Sequence, residues 1–234
     1  KIQNLRTYFF TRRGIVKAVD GADLEVQKGK LTALVGESCC GKTTLGRLIL
    51  RLMEPTNGKV FFKGEDIYLL DIGIASALAL NPEFVVCDEA VSALDVSIRA
   101  QILNLLIDLK ESFNLTLLFI THDLSVVSFL SDRIGAMYLG KCVEIGPTAE
   151  IFAQPLHPYT LFLLSAVPIP DPHARNRAKL ILKGDLPSPV KVPRGCRFHT
   201  RCPYLKDICI SEEPQMQHVG NRSFACHFPL FYIS

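Results

Sequence analysis

The chain has 234 residues, of which 48% are apolar and 21% are charged, so it can bury a substantial core and is not a disordered polypeptide. Its formal net charge of +3 is too small to indicate nucleic-acid binding by itself. The longest apolar runs, such as residues 115–120, are far shorter than the ~20 residues of a membrane-spanning helix. Residue 1 is lysine rather than methionine, so we expect the natural N-terminus to lie upstream.

The first 28 residues alternate apolar and polar side chains, which predicts antiparallel strands around a turn at Asp20-Gly21. Three consecutive aromatic residues, Tyr8, Phe9 and Phe10, lie in this segment. One of these rings could stack on a purine base, and packing in the core is an equal alternative.

Residues 31–53 read as a short apolar strand, a loop and a helix with an apolar stripe (Leu45, Leu48, Ile49, Leu52). The loop from Gly36 to Thr43, GESCCGKT, fits G-x-x-x-x-G-K-[ST] at every fixed position. A helix N-terminus presents unpaired N–H groups and a partial positive charge, so a loop over it can wrap a phosphate chain. Lys42 adds a cation for the β- and γ-phosphates, and Thr43 a hydroxyl for Mg²⁺. The spacing therefore predicts a nucleoside-triphosphate site.

Two adjacent cysteines lie inside this loop. Cys39 stands where related loops usually carry glycine, so we expect strain in backbone that approaches the nucleotide closely. We interpret Cys39 and Cys40 as buried, reduced thiols, and the alternative is a loop that is sensitive to oxidation.

The next elements are predicted from breakers and apolar runs. Pro55 ends the helix, Asn57-Gly58 forms a turn, and Val60 to Phe62 is a strand. The segment that begins at Gly64 then runs into a helical pattern at Ile72 to Leu80 without a breaker between them.

Residues 84–89 form an apolar strand that ends in two carboxylates, Asp88 and Glu89. In a chain with a phosphate-binding loop, an aspartate at a strand end positions Mg²⁺ beside the phosphates. Glu89 can polarise the attacking water. Paired acids at a strand end usually belong to a solvated loop, but the preceding loop favours a catalytic pair here.

A helix with a core-facing stripe is predicted after Asp95 (Ile98, Ile102, Leu105, Leu106, Leu109, Phe113). Residues 115–120 are the next buried strand, and His122 follows its end. His122 could contact the γ-phosphate or orient the water, and a structural loop histidine is the alternative. The repeated order of strand, polar end residue and helix predicts an α/β sheet with its ligands at the carboxyl ends of the strands.

Three segments, GESCCGKTT, VVCDEAVSALD and FITHDLSVV, resemble in this order the Walker A, Walker B with D-loop, and switch-histidine segments of ABC-type ATPases. The segments MYLGKCVEIGPTAEIF and LHPYT narrow the resemblance to the ATP-binding subunits of oligopeptide, dipeptide and nickel importers. The resemblance covers almost the whole chain. It implies an α/β ABC-type P-loop ATPase core with N-terminal antiparallel strands at residues 1–154, and a small Cys-rich extension at residues 155–234.

The resemblance also implies the roles of site residues. ATP would be held by one loop and the helix that follows it (Ser38, Cys39, Cys40, Gly41, Lys42, Thr43, Thr44). Mg²⁺ would lie near Thr43 and Asp88, with Glu89 as the catalytic base and His122 as the γ-phosphate switch. Asp95 would reach across a dimer, and an aromatic residue, Tyr8 or Phe9 foremost, would stack on adenine.

The chain departs from the family pattern at single positions and in one longer segment. Ala90 replaces a usual proline and Ser76 a usual arginine, and each is expected to lower activity without removing a reacting group. The family places a helical subdomain, a glutamine loop and the LSGGQ signature between the strand near Phe62 and the helix at Ile72, and the sequence contains none of them. Either this is a genuine deletion, or the sequence joins pieces of a longer chain across Asp71 and Ile72, which we favour.

From residue 167 a proline-rich linker with one short strand, Leu180 to Leu182, leads to four cysteines (Cys196, Cys202, Cys209, Cys226). Their spacing, C-x5-C-x6-C-x16-C, is not the C-x2-C pairing of zinc ribbons. The resemblance implies a [4Fe-4S] cluster on these cysteines, with zinc as the runner-up and reduced thiols or disulfides as the third alternative. Because the tail has few large apolar residues, we expect the metal centre to replace a core.

The resemblance implies an ATPase that powers peptide import from the cytoplasmic face of the membrane, as a peripheral subunit. Its partners would be a paralogous ATPase in a heterodimer, two membrane permeases and, through them, an extracytoplasmic solute-binding protein. No nucleic-acid partner is expected. The alternatives are a soluble ABC ATPase of repair or cluster assembly, and a redox-sensing nucleotide-binding module.

Overall fold

The computed structural model describes residues 1–69, 82–91, 95–166 and 184–231. Several sequence predictions lie outside these ranges, namely the helix at 72–80 with Ser76, the junction of Asp71 and Ile72, and the strand at 180–182. Residues 92–94, just before Asp95, lie outside them as well.

The strands are β1 (Ile2–Thr11), β2 (Gly14–Leu24), β3 (Leu31–Val35), β4 (Asn57–Phe62), β5 (Glu65–Asp66), β6 (Phe84–Asp88), β7 (Thr116–Ile120), β8 (Arg133–Tyr138), β9 (Lys141–Pro147), β10 (Gln217–Val219) and β11 (Arg222–Phe224). The helices are α1 (Lys42–Ile49), α2 (Val96–Phe113), α3 (Leu124–Leu130), α4 (Thr148–Ala153), α5 (Pro158–Ser165) and α6 (Ile208–Ser211). A single turn of 3₁₀ helix spans His199–Arg201.

The strands form two sheets. One has the order β2-β1-β4-β5 and is antiparallel, and the other has the order β10-β11-β9-β8-β3-β7-β6. In the second sheet β8, β3, β7 and β6 are mutually parallel, and their carboxyl ends therefore lie on one side. This is the predicted α/β core with antiparallel N-terminal strands.

Strand β11 belongs to the Cys-rich region, yet it pairs with β9 of the large sheet through Ser223 opposite Ile145 and Phe224 opposite Glu144. The backbone pairing is supplemented by an ion pair, because Arg222 donates to the fully buried carboxylate of Glu144 at 2.7 Å. One sheet thus includes residues on both sides of the boundary predicted between residues 154 and 155.

The predicted turn at Asp20-Gly21 is wrong. The β1–β2 hairpin turns at residues 12–13, and Thr11 pairs with Gly14 on either side of the turn. Asp20 lies within β2, where it pairs with Arg6 of β1. Gly14, the first residue after this turn, has φ 123°, which a residue with a side chain rarely adopts.

The first helix is shorter than predicted. It ends at Ile49 rather than near Pro55, because Arg51 takes a left-handed conformation with φ 54°. Leu52, predicted to face the core, lies beyond the helix and is exposed. Asn57 and Gly58, predicted as a turn, begin strand β4 instead.

Helix α2 is confirmed, but four of the six residues of its predicted core stripe are not buried. Ile102 and Leu106 pack against the sheet together with Leu103, which was not in the stripe. The others are exposed to solvent (Ile98, Leu105, Leu109, Phe113). Apolar residues occupy both sides of this helix, so their spacing alone did not identify the buried side.

Among the described helices, none has the length and apolarity to cross a membrane.

Candidate nucleotide-binding site

The predicted phosphate-binding loop connects the buried strand β3 to helix α1. Gly41 is the N-cap residue of α1 and has φ 106°, and a Cβ there would come within 2.1 Å of the Ala18 carbonyl oxygen. At Gly36 a Cβ would come within 2.2 Å of the Met137 carbonyl oxygen. Both glycines of the motif are therefore required by close approach of neighbouring backbone.

Lys42 is buried, and its ammonium lies inside the curve of the loop. Its Nζ donates to the carbonyl oxygens of Gly36 at 2.8 Å and Glu37 at 3.0 Å. The loop thus holds one cation directly beside the N-terminus of α1, where an anion is also favoured by the helix dipole.

Ser38, Cys39 and Thr43 are exposed, whereas Cys40 is buried. The prediction that both thiols are buried is therefore wrong for Cys39. Cys39 has φ 66°, a left-handed conformation that favours glycine. This left-handed conformation explains why related loops usually carry glycine at this position. The side chain of Cys39 is accommodated because it points to solvent.

Side chains from three neighbouring elements meet next to the loop. Thr43 Oγ1 on α1 lies 3.2 Å from Asp88 Oδ1 at the carboxyl end of β6. Glu89 follows directly, and its N–H donates to the Ile120 carbonyl oxygen at 2.9 Å. His122, two residues beyond β7, places Nδ1 3.4 Å from Glu89 Oε1. The parallel pairing of β6 and β7 brings these groups together, as the sequence predicts.

The other residues singled out from the sequence make separate contacts or face solvent. Asp95 is exposed and caps α2, since its carboxylate accepts the Ile98 N–H at 3.0 Å, and this bond chiefly lowers its pKa. The Tyr8 hydroxyl donates to Asp20 within the fold, while Phe9 is partly exposed and Phe10 largely so. Ala90 is exposed beside Glu89.

The LHPYT segment has a structural role that its sequence did not reveal. His157 is fully buried and accepts the Tyr159 N–H through Nδ1 at 3.0 Å, which caps α5. Burial lowers its pKa to about 3, so the ring is neutral. The carboxylate of Glu144 accepts the N–H groups of Leu156 at 2.8 Å and His157 at 2.9 Å.

The Cys-rich region contacts the phosphate loop, and the sequence does not predict this contact. Arg201 forms two hydrogen bonds with the Glu37 carboxylate, and the hydroxyl of Tyr159 accepts the Glu37 N–H. The partners are more than 120 positions apart in the chain, and no local pattern signals such a pair.

The four C-terminal cysteines line one pocket. Three histidines, a proline and three aromatic residues also line it (His157, His199, His227, Pro158, Phe198, Tyr204, Phe228). Among the residues that the structure describes, no carboxylate lies in this wall, and none of the chain's cysteines is in a disulfide. Yet no three Cys, His, Asp or Glu side chains of the described ranges are grouped closely enough to hold a single metal ion.

Comparison with known families agrees with this geometry. Residues 19–71 match the ABC transporter family, and residues 143–209 match the C-terminal region of oligopeptide/dipeptide transporters. The first match stops where the sequence is predicted to lack the helical subdomain.

Similar proteins carry related names and folds. The oligopeptide transport ATP-binding protein AppF of Bacillus subtilis is 38% identical over 316 residues, covering 97% of this chain and 96% of AppF. The putative oligopeptide transport ATP-binding protein YkfD of the same species is 37% identical, covering 97% of this chain and 94% of YkfD. Each alignment is longer than the chain itself, so these relatives contain residues without a counterpart here.

A solved structure supports the fold. The ATP-binding cassette MJ0796, in a dimeric post-hydrolysis state with ADP and phosphate, has a TM-score of 0.57 at 19% identity, covering 63% of this chain and 98% of that one. The fold, the family matches and the relatives agree: the chain belongs to the ATP-binding subunits of oligopeptide and dipeptide ABC transporters.

Proposed function

We propose that this chain binds ATP with Mg²⁺ at the loop Gly36–Thr43 and hydrolyses it to power peptide import by an ABC transporter. The observation that carries this proposal is the convergence of Thr43, Asp88, Glu89 and His122 beside the loop. The names of the relatives, oligopeptide transport ATP-binding proteins, supply the solute class.

Each group has a role that its position supports. The amides at the start of α1 and the Lys42 ammonium bind the phosphates. Thr43 and Asp88 would hold Mg²⁺, which would neutralise charge on the phosphate oxygens. Glu89 accepts a proton from the attacking water, and His122, hydrogen-bonded to Glu89, orients the γ-phosphate. Catalysis then consists of positioning and electrostatic stabilisation of the transferred phosphoryl group.

A glutamine at position 89 tests the catalytic assignment. Because a general base contributes about 10²–10⁴ in rate, Glu89→Gln in the assembled transporter is expected to lower phosphate release at least ~100-fold while ATP still binds. Glu83→Gln, at an exposed carboxylate paired with Lys63, is the matched control and is expected to hydrolyse ATP like the wild type. Wild-type hydrolysis by Glu89→Gln would contradict the assignment.

The partners and the location follow from the same proposal. The chain would act at the cytoplasmic face of the membrane, against two permease subunits that receive solute from an extracytoplasmic binding protein, and beside a paralogous ATPase. The match of residues 143–209 to a transporter region favours this over a soluble ATPase of repair or cluster assembly. Native mass spectrometry of the intact complex is expected to give one copy of this chain, and two copies would contradict the heterodimer.

We further propose that the cysteine pocket holds a [4Fe-4S] cluster. A tetrahedral zinc ion requires four sulfurs about 3.8 Å from one another. The four cysteines share one pocket but form no group suited to a single ion, within the part of the chain that the structure describes. The pocket brings together the number of cysteines that a cluster takes, which is one per iron.

Metal analysis after anaerobic purification tests the cluster. We expect iron and acid-labile sulfide in equal amounts, with visible absorbance that is lost in Cys209→Ser. One zinc per chain, or no metal, would overturn this assignment. If the tail kept its fold after iron was removed, the predicted structural role of the centre would be wrong.

A further inference from the structure

The short segment between two cysteines of the pocket, Cys196 and Cys202, also contacts the phosphate-binding loop. We propose that Arg201 in this segment is a positioning residue for ATP, which acts through Glu37 of the loop. The inference rests on the proposed function, since it assumes that the loop binds the phosphates of ATP.

The contact between Arg201 and Glu37 has the geometry of a strong ion pair. Nη1 lies 2.7 Å from Oε2 and Nη2 lies 3.0 Å from Oε1, so the two planar groups meet in parallel. The Arg201 side chain is 7% exposed and that of Glu37 is 25% exposed. Bidentate ion pairs whose side chains have so little exposure to solvent are stronger and more directional than surface ion pairs. Hydrogen bonds to Glu37 are the main reason that the pKa of Arg201 lies above its usual value.

Glu37 is fixed at three points at once. Arg201 holds its carboxylate, Tyr159 Oη accepts its N–H at 2.8 Å, and its carbonyl oxygen accepts from Lys42 Nζ at 3.0 Å. Glu37 directly follows the first glycine of the motif. Its orientation therefore determines where the next amides of the loop point and where the Lys42 ammonium lies.

The backbone of Arg201 is itself held in place by buried neighbouring residues. Its N–H donates to the Phe198 carbonyl oxygen at 3.0 Å, and Phe198 is almost fully buried. The Phe198 ring packs 5.3 Å from Tyr138 and 5.5 Å from Tyr159, measured between ring centroids. At the start of the segment, the Cys196 N–H donates to the Cys209 carbonyl oxygen at 2.8 Å. The position of the guanidinium thus depends on the walls of the cysteine pocket.

A second arginine of the same segment reaches the N-terminal strands. Arg197 Nη2 lies 2.5 Å from Asp20 Oδ2, and Asp20 also accepts the hydroxyl of Tyr8. The segment therefore contacts both the loop that takes the phosphates and β2, the strand paired with the one that carries the aromatic residues. This arrangement couples the cysteine pocket to nucleotide affinity.

The experiment compares Arg201→Gln, Glu37→Gln and the double variant by titration with a fluorescent ATP analogue in the assembled transporter. We expect each single variant to bind about tenfold more weakly, a change of about 1.4 kcal/mol. Because Arg201 acts through Glu37, the double variant is expected to bind no more weakly than either single one. The KM for ATP should rise in the same proportion, while the rate at saturating ATP stays near the wild-type rate. Arg201→Lys retains the positive charge but cannot form two parallel hydrogen bonds with the carboxylate, and it should recover part of the affinity.

The control is Arg194→Gln, at an exposed arginine of the same region, which is expected to bind ATP like the wild type. Wild-type affinity in Arg201→Gln, or losses that multiply in the double variant, would overturn the inference. If Arg201→Gln does not fold, Glu37→Gln tests the same contact without changing the Cys-rich region. If the wild type itself does not bind the analogue, the proposed function fails instead.

Discussion

Thr43 Oγ1 lies 3.2 Å from Asp88 Oδ1, although the two residues are 45 positions apart in the chain. Two oxygen ligands in neighbouring positions around an octahedral Mg²⁺ lie about 3 Å apart. This spacing supports the proposal that Thr43 and Asp88 would hold one Mg²⁺ between them.

Replacing Asp88 tests this spacing. In Asp88→Asn the site keeps its shape but loses its anionic ligand, so we expect ATP to bind equally well with Mg²⁺ and with a chelator. Turnover should fall at least ~100-fold, since a metal ion supplies several kcal/mol of charge stabilisation. Isothermal titration in both buffers measures the first effect. Asp108→Asn, at an exposed position of α2, is the control, and a retained Mg²⁺ dependence in Asp88→Asn would contradict the assignment.

A second prediction separates binding from hydrolysis at His122. Its Nδ1 lies 3.4 Å from Glu89, and both side chains are about half exposed. His122→Ala should lower the turnover number about 100-fold and leave the ATP dissociation constant within a factor of about two, because the ring positions reacting groups rather than binding the phosphates. Parallel phosphate-release and binding assays measure this. His218→Ala, at an exposed histidine of β10, should match the wild type, and a purely affinity-based defect in His122→Ala would refute the switch role.

The conformation of Cys39 leads to a stability prediction. A left-handed φ costs an L-residue roughly 1–2 kcal/mol, which glycine avoids at the expense of about 0.5–1 kcal/mol of chain entropy. Cys39→Gly should therefore raise the free energy of unfolding by about 0.5 kcal/mol in urea denaturation. Cys39→Ala removes the thiol but keeps Cβ and should bring no gain. Equal stabilisation by both variants would show that the thiol, and not the backbone, is responsible.

Asp132 gives a prediction for pH. Burial alone would raise the pKa of this carboxylate, but hydrogen bonds from Lys110 at 2.9 Å and the Leu31 N–H at 2.7 Å outweigh it, with Lys30 nearby, so the pKa lies below 3.8. A pKa lower in the fold than in the unfolded chain stabilises the fold above pH 3.8, and this contribution is lost as the pH falls through the folded value. In urea denaturation between pH 7 and pH 2, Asp132→Asn should be less stable at neutral pH and lose less stability on acidification. Parallel curves for variant and wild type would contradict this, and Asp108→Asn again serves as the control.

Sequence reasoning succeeded where the relevant groups are neighbours in the chain or lie at strand ends. The phosphate loop is one continuous segment whose glycines are required by local backbone contacts, so its spacing alone predicted the geometry. Asp88 and His122 follow two apolar strands, and the parallel pairing of those strands brought them together.

The failures have equally physical causes. Asp20-Gly21 has the composition of a turn, but Asp20 is held inside β2 by Tyr8 and Arg197, which tertiary contacts supply. The apolar residues of α2 lie on two faces, and only the sheet packed against one of them decides which is buried. The pairing of Arg201 with Glu37 spans 164 positions and has no sequence signature.

The pairing of β11 with β9 limits how the cysteine region can be studied. Truncation before residue 222 would leave β9 with a row of unpaired backbone groups open to self-association, and would strip the cation from the buried Glu144 carboxylate. An insoluble truncated protein would then say nothing about metal or nucleotide. The four cysteines therefore have to be replaced one at a time in an otherwise intact chain.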